Sequence, residues 1–245
     1  MLLAIDIGNT SITVGLFKNN VLKKRYRIPT KTSGYFNALK KIFAANRIDA
    51  AILCSVVPES TKRLAKELKK FLNKETLIVG KDLTVPVKNL YRLPKQVGQD
   101  RLVNAYAAVK LYGSPAVIID FGTAITFDGV SKKGEYLGGM ILPGIEISLD
   151  ALWQKTALLP KVKLEKPREF IGRDTKESIL SGLVHGFAAL TDGMARRMKK
   201  EIGKNCLVIG TGGNISFISK FLNELNHKDI DLTLKGLNLI YQNNR

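Results

Sequence analysis

Apolar and polar positions along this chain alternate in short runs that change period several times. LLAID is continuously apolar up to Asp6, and ITVGLF and VLKKRYRI follow after brief polar breaks, which predicts three strands joined by turns. Asn19 and Asn20 stand at the second break, and asparagine accepts the positive φ of a tight hairpin. YFNALKKIFAANR then puts Phe36, Leu39, Ile42 and Phe43 on one helical face. AAILCSVV reads as a buried strand ended by Pro58, ESTKRLAKELKKFL carries a stripe of Leu64, Leu68, Phe71 and Leu72, and TLIVG is another short strand. The expected order is three strands, helix, strand, helix, strand, which makes a mixed sheet covered by helices.

Pro86 and Pro94 mark an irregular stretch, and a helix is expected after Gly98 with Leu102, Tyr106 and Val109 on one side. Gly113-Ser114-Pro115 reads as a junction. Beyond it AVIID, AITFDGV and YLGGMIL repeat the three-strand opening, so the pattern predicts a duplicated lobe, residues 1–113 and 114–245. The second lobe continues with a glycine-rich segment from Gly138 to Gly144 and a long helix from about Lys176 to Ile202. The strand CLVIG and the turn Thr211-Gly212-Gly213-Asn214 lead into a helix with Ile218 and Leu222. LTLKGLNLIYQN is expected to be a short strand and a closing helix.

Composition narrows the chemistry. Apolar residues make up 45% of 245, enough for a substantial core, and no run approaches the ~18–20 apolar residues of a membrane span. The opening MLLAI lacks the basic region and length of a secretory signal, so a cytoplasmic protein is expected. Cys54 and Cys206 lie in apolar strand-like runs, without disulfide or zinc spacing. His185 and His227 are the two histidines, and neither has a ligand pattern around it, which argues against a His/Cys metal site or a Ser/His/Asp triad. His185 falls on the long helix, where packing or capping is the expected role. Thirty-nine basic against 21 acidic side chains give +18. That field favours capture of anions and would tolerate nucleic acid. The basic residues, however, are spread over the polar sides of periodic segments, which reads as a solvated lysine-rich surface.

The most informative feature is a turn written twice. Asp6-Ile7-Gly8-Asn9-Thr10 and Asp120-Phe121-Gly122-Thr123-Ala124 each end one apolar strand and begin another. Glycine permits a tight bend there, and such bends aim successive N–H groups at one point, an anion-binding concavity. A carboxylate at a strand end offers hard oxygen to Mg²⁺ or another cation. Two such turns suit a polyphosphate held from both sides. Thr211–Asn214 adds glycine amides before a helix, a weaker signal that lacks the G-x-G-x-x-G spacing of a dinucleotide fold.

Taken together, the motifs resemble the type III pantothenate kinases, within the actin-like ATPase superfamily that includes sugar and acetate kinases. The resemblance is carried by Asp6, Gly8, Asn9 and Thr10; by Tyr91 and Pro94 followed by Gly98, Asp100 and Arg101; by Asp120, Gly122, Thr123, Ala124 and Thr126, with Asp128 after; and by Gly138, Gly139, Ile141, Pro143 and Gly144. It extends in order from Asp6 to Gly213. Asp174 stands where the family often has Asn, and Gln99 where Ala is common. The fold implied is α/β, two duplicated lobes of the actin-like (ribonuclease H-like) type, mixed sheets flanked by helices with a cleft between lobes. The activity implied is phosphorylation of pantothenate by ATP, opening coenzyme A biosynthesis, with Asp100 as general base.

The resemblance also implies residue roles. Tyr91, Gly98, Gln99, Asp100, Arg101 and Thr175 would contact pantothenate. Asp6, Ile7, Gly8, Asn9, Thr10, Ser11, Ile12, Thr13 and Thr123 would contact ATP. Asp6 would stand near Mg²⁺, Asp120 would hold a monovalent cation (K⁺ or NH₄⁺), and the protein would be a homodimer. Rival readings are a related sugar or acyl kinase and a DNA-binding regulator. The Gly98–Arg101 segment beside Tyr91 argues against the first. The lack of a helix-turn-helix or basic-aromatic array argues against the second.

Overall fold

The structure, a computed structural model, describes residues 1–30 and 35–244. Its chain separates into two compact units, residues 1–110 with 231–245, and residues 111–230.

In the first unit, β1 (Leu2–Ile7), β2 (Ser11–Lys18) and β3 (Val21–Pro29) form an antiparallel meander. After α1 (Tyr35–Ala45), β4 (Ala50–Ser55) returns parallel to β1, and after α2 (Pro58–Leu72), β5 (Leu77–Ile78) pairs parallel to β4. The strand order is β3-β2-β1-β4-β5. β1 is apolar at nearly every position because helices cover both faces of the sheet, so alternation is lost. On one face Leu3, Ile5 and Ile7 pack with Leu39 and Ile42 of α1 and with Leu64 and Leu68 of α2. A single 3₁₀ turn (Pro94–Gln96) precedes α3 (Gln99–Tyr112).

The second unit repeats this plan. β6 (Ala116–Phe121), β7 (Ala124–Val130) and β8 (Tyr136–Pro143) form the meander. β9 (Leu207–Thr211) is parallel to β6, and β10 (His227–Lys228) is parallel to β9. The order β10-β9-β6-β7-β8 has the same connectivity and polarity as the first sheet. Between the meander and β9 lie α4 (Ile145–Lys155) and the long α5 (Thr175–Ile202), and α6 (Ile215–Ile218) follows β9. Val117, Ile119, Phe121, Ile125 and Phe127 build the core with Val184 and Ala195 of α5. The duplicated strand plan is as the sequence pattern predicts.

Three expectations change. LTLKG is not a strand: it is the first turn and more of α7 (Leu232–Asn243). Gly236 sits mid-helix because a Cβ there would stand 2.8 Å from the Val103 carbonyl on α3. Close helix packing, not a turn, requires that glycine. Second, α7 packs against β1, β2 and β4, so residues 231–245 belong with the first half of the sequence instead of closing the second. Third, α4 lies in a stretch where no helix is expected, anchored by Ile145 and Leu149. His185 does pack: its ring meets Phe170 and Phe221 edge-on.

Candidate active site

The first turn joins β1 to β2 and is braced from β3. Gly8 N–H donates to the Ser11 carbonyl (3.0 Å), Thr30 Oγ1 donates to the Gly8 carbonyl (2.8 Å), and Thr30 N–H donates to the Thr10 carbonyl (3.0 Å). Arg27 Nε donates to Ser11 Oγ (3.1 Å). Asn9 and Thr10 are exposed at the tip, whereas Ile7 and Ile12 pair across the ladder with their side chains in the core. Those two can offer a ligand only their backbone. Asp6 and Thr13 face each other across the strands, both half-buried.

The second turn has the same parts with one residue fewer. Gly122 N–H donates to the Ala124 carbonyl (3.1 Å), and Asp120 is opposite Thr126 as Asp6 is opposite Thr13. Neither Gly8 nor Gly122 has positive φ; a Cβ would meet a carbonyl oxygen at 3.2 Å and 3.3 Å respectively. Close backbone approach, not left-handed geometry, is what glycine supplies. Gly144 N–H donates to the Thr123 carbonyl (3.0 Å) and Asn214 N–H to the Phe121 carbonyl (3.0 Å), leaving the Thr123 side chain exposed. Asp120 also pairs with Thr211 of β9. Thr126, Asp120 and Thr211 therefore form a row of oxygen-bearing side chains on three adjacent strands. The Asp120 carboxylate lies over Gly212, where φ is +93° and a Cβ would come within 2.3 Å of Oδ1.

Asp100 enters α3 at its first turn, where its Oδ1 accepts from Arg101 N–H (2.9 Å) and its charge complements the helix N-terminus. Asp100 acts on the same neighbour as Asp6. Cys54, the β4 partner of Asp6, is buried, which pushes its thiol well above the usual value of 9.0, and the charges of Asp6 and then Asp100 raise it further. Two carboxylates far apart in sequence thus bear on one buried thiol. Arg101 is 7% exposed, too buried to be an ordinary surface charge. Gln99 packs against Gly80, and Tyr91 is held by an Asx turn in which its N–H donates to Asn89 Oδ1 (2.9 Å). Leu90 and Leu93 are exposed while Val97 is core.

Thr175 is exposed at the first position of α5. Asp174 caps that helix, its Oδ1 accepting from Glu177 N–H (2.8 Å). Asn and Asp are equally good caps, which gives the exchange at this position a structural reason. Sequence reading passed over Thr30, Asn89 and Tyr136. Their roles come from hydrogen bonds to distant backbone and side chains, and only Asn89, close before Pro94, carried a local turn signal.

Asp6 and Asp120 each suit a cation that brings its own water and phosphate oxygens, since Mg²⁺ needs only one or two protein carboxylates. Among the described residues no three His, Cys, Asp or Glu side chains form a metal-binding group, so a dedicated all-protein cage is not what these turns build. A cavity of about 540 Å³ in the first unit, lined among others by Leu2, Asn19, Arg47, Asn238 and Tyr241, contains none of the candidate residues and opens at the end of β1 away from Asp6. Among the described residues no helix is long and apolar enough to cross a membrane.

The family model described as type III pantothenate kinase matches residues 2–197, a span that contains both Asp turns, Tyr91 and Gly98–Arg101. The chain belongs to this family. A type III pantothenate kinase from Persephonella marina is 43% identical over 98% of both chains. Solved structures share the fold at lower identity. A Campylobacter jejuni protein assigned to the Baf family of transcriptional activators aligns at TM-score 0.62 and 20% identity, covering 99% of this chain and 98% of its own. The activator of 2-hydroxyisocaproyl-CoA dehydratase from Clostridium difficile, with bound ADPNP, aligns at 0.58 and 12%, covering 98% and 93%. These two likenesses bear on the fold alone, which is that of the actin-like ATPases.

Proposed function

We infer that this protein transfers the γ-phosphoryl group of ATP to the primary hydroxyl of pantothenate, the first step of coenzyme A biosynthesis. One observation carries the reading: the family match runs unbroken through the first turn, the Asp100 segment and the second turn. In the reaction the hydroxyl oxygen bonds to the γ-phosphorus, the bridging P–O bond to the β-phosphate breaks, and ADP leaves. Such transfer depends mainly on positioning and charge stabilisation. Asp100 takes the hydroxyl proton. Its half-buried place in the first turn of α3, next to Arg101, supports this role. Arg101, with its guanidinium fork, pairs with the substrate carboxylate, and Tyr91, Gly98, Gln99 and Thr175 shape the remainder of the substrate site. The backbone of Asp6–Thr13 and the Thr123 hydroxyl are candidates for ATP phosphate contacts.

Asp6 would hold Mg²⁺ and Asp120 would hold K⁺ or NH₄⁺, cations that would supply charge neutralisation at the phosphates. Use of ATP as donor supports a cytoplasmic site of action. A homodimer is expected, with exposed apolar side chains such as Leu158, Phe170 and Ile171 available for burial by a second copy. The activity is tested by ADP release from ATP, Mg²⁺ and K⁺ with and without pantothenate. Strictly pantothenate-dependent release is expected, and absent or pantothenate-independent turnover would overturn the assignment.

A further inference from the structure

Asp128 has no part in the chemistry above, yet it is a carboxylate only 1% exposed, on β7, two residues past Thr126. Tyr136 donates its hydroxyl to Oδ1 (2.7 Å), and Thr126 donates its hydroxyl to Oδ2 (3.1 Å). An ionised carboxylate only accepts, so the single proton of Thr126 must point at Asp128. What Thr126 Oγ1 retains for any other neighbour is lone-pair density. Thr126 stands directly opposite Asp120 in the antiparallel ladder, the arrangement in which cross-strand side chains on one face touch. The Asp120 carboxylate is therefore flanked by an oxygen that can accept but cannot donate to it. Two acceptors placed side by side are a hard-cation environment.

The first turn provides an internal contrast. Thr13 stands opposite Asp6, but two residues on is Gly15, so no carboxylate occupies the place of Asp128. Duplication has kept the Asp–Thr pair in both units and fixed the hydroxyl direction in one of them.

We propose that Thr126 Oγ1 is an oxygen ligand, alongside Asp120, for the monovalent cation, and that Asp128 and Tyr136 are the positioning pair that turns its lone pairs outward. This rests on the assignment of that cation to Asp120. It separates the two turns chemically: a hydrated divalent ion suits Asp6, where Gly15 takes the place that Asp128 has in the second turn, and a more directly ligated monovalent ion suits Asp120.

The test is a K⁺ titration of the full-length protein followed by thermal unfolding, with and without a non-hydrolysable ATP analogue, at ionic strength held constant with tetramethylammonium. A saturable K⁺-specific rise in midpoint is expected for the unaltered protein. Thr126→Val should raise the half-saturating K⁺ concentration about tenfold or more, and Thr126→Ser should stay within about threefold. Asp128→Asn should behave as Thr126→Val, because an amide N–H aimed at Oγ1 lets the hydroxyl proton swing toward the cation. If Asp128→Asn fails to fold, the Thr126 pair decides alone. An unchanged K⁺ response in Thr126→Val, with Asp120→Asn abolishing it, would overturn the role of Thr126 and leave the cation at Asp120 standing. No K⁺-specific response in the unaltered protein would remove both.

Discussion

Asp100→Asn is the substitution that separates chemistry from architecture most sharply. In the fold, Asp100 contributes one acceptor, Oδ1, to the N–H of Arg101, and a negative charge to the first turn of α3. Asparagine keeps an Oδ1 in the same place, so the local hydrogen bond survives. The lost charge–dipole interaction is worth about 0.3–1 kcal/mol. For a chain of this length the melting temperature should fall by no more than about 2–4 °C. An amide cannot take the hydroxyl proton, and loss of a general base costs about 10²–10⁴ in rate, or at least ~2.7 kcal/mol of barrier. The expected result is a folded protein whose kcat drops at least about a hundredfold while KM for ATP changes little. The assay is steady-state ADP release at saturating ATP and pantothenate, paired with a melting curve of the same preparation. A folded variant retaining kcat within about tenfold would show that Asp100 does not carry the proton. A variant that melts far lower would show that its role is structural.

Further outcomes follow from other parts of the structure. Gly212→Ala places a Cβ 2.3 Å from Asp120 Oδ1 at a residue with φ of +93°. It should lower the urea midpoint by the equivalent of about 1–3 kcal/mol and displace Asp120, reducing kcat, and unchanged stability would contradict the packing described. Asp174→Ala should cost about 1 kcal/mol through loss of the α5 cap while Asp174→Asn is nearly neutral, as measured by denaturant unfolding. Burial raises Cys54 well above 9.0 and Cys206 to about 11, and burial with the Asp229 contact raises Tyr112 to about 12. All three keep their protons in the folded state at pH values where the unfolded chain has begun to release them. The stabilisation from the two thiols is complete below 9.0 and that from Tyr112 below 10.0, and each declines as pH rises above it, so the urea midpoint should fall between pH 9 and about pH 11. A flat profile over that interval would count against burial of these groups. By the same reasoning Cys54 should resist thiol reagents at pH 8 until the protein unfolds.

The duplicated meander was legible because β1 and β6 are both apolar runs that end at an Asp, and a period change is a local property of the chain. The position of Asp100 could be read in the same way, from Gly98 and the helix that follows. That its charge and that of Asp6 bear on the same thiol could not, since that depends on β4 bringing Cys54 alongside β1. LTLKG was misread because alternation over five residues fits a strand as well as a helix start, and the decisive contact, Gly236 against Val103, is remote in sequence. α4 was missed because it follows a glycine-rich segment and buries only two residues, Ile145 and Leu149. Asp128 could be seen as part of a motif, but its use of the Thr126 proton needs the strand register and the reach of Tyr136 from β8.

Helix α7 (Leu232–Asn243) finishes a body whose other elements come from residues 1–110. During synthesis that body must wait, with one side of its sheet bare, until the whole intervening unit has emerged from the ribosome. A nonsense mutation just before Leu232 would thus injure a sheet encoded far upstream of it, and a chaperone meeting the nascent chain would find its exposed apolar surface on β1, β2 and β4.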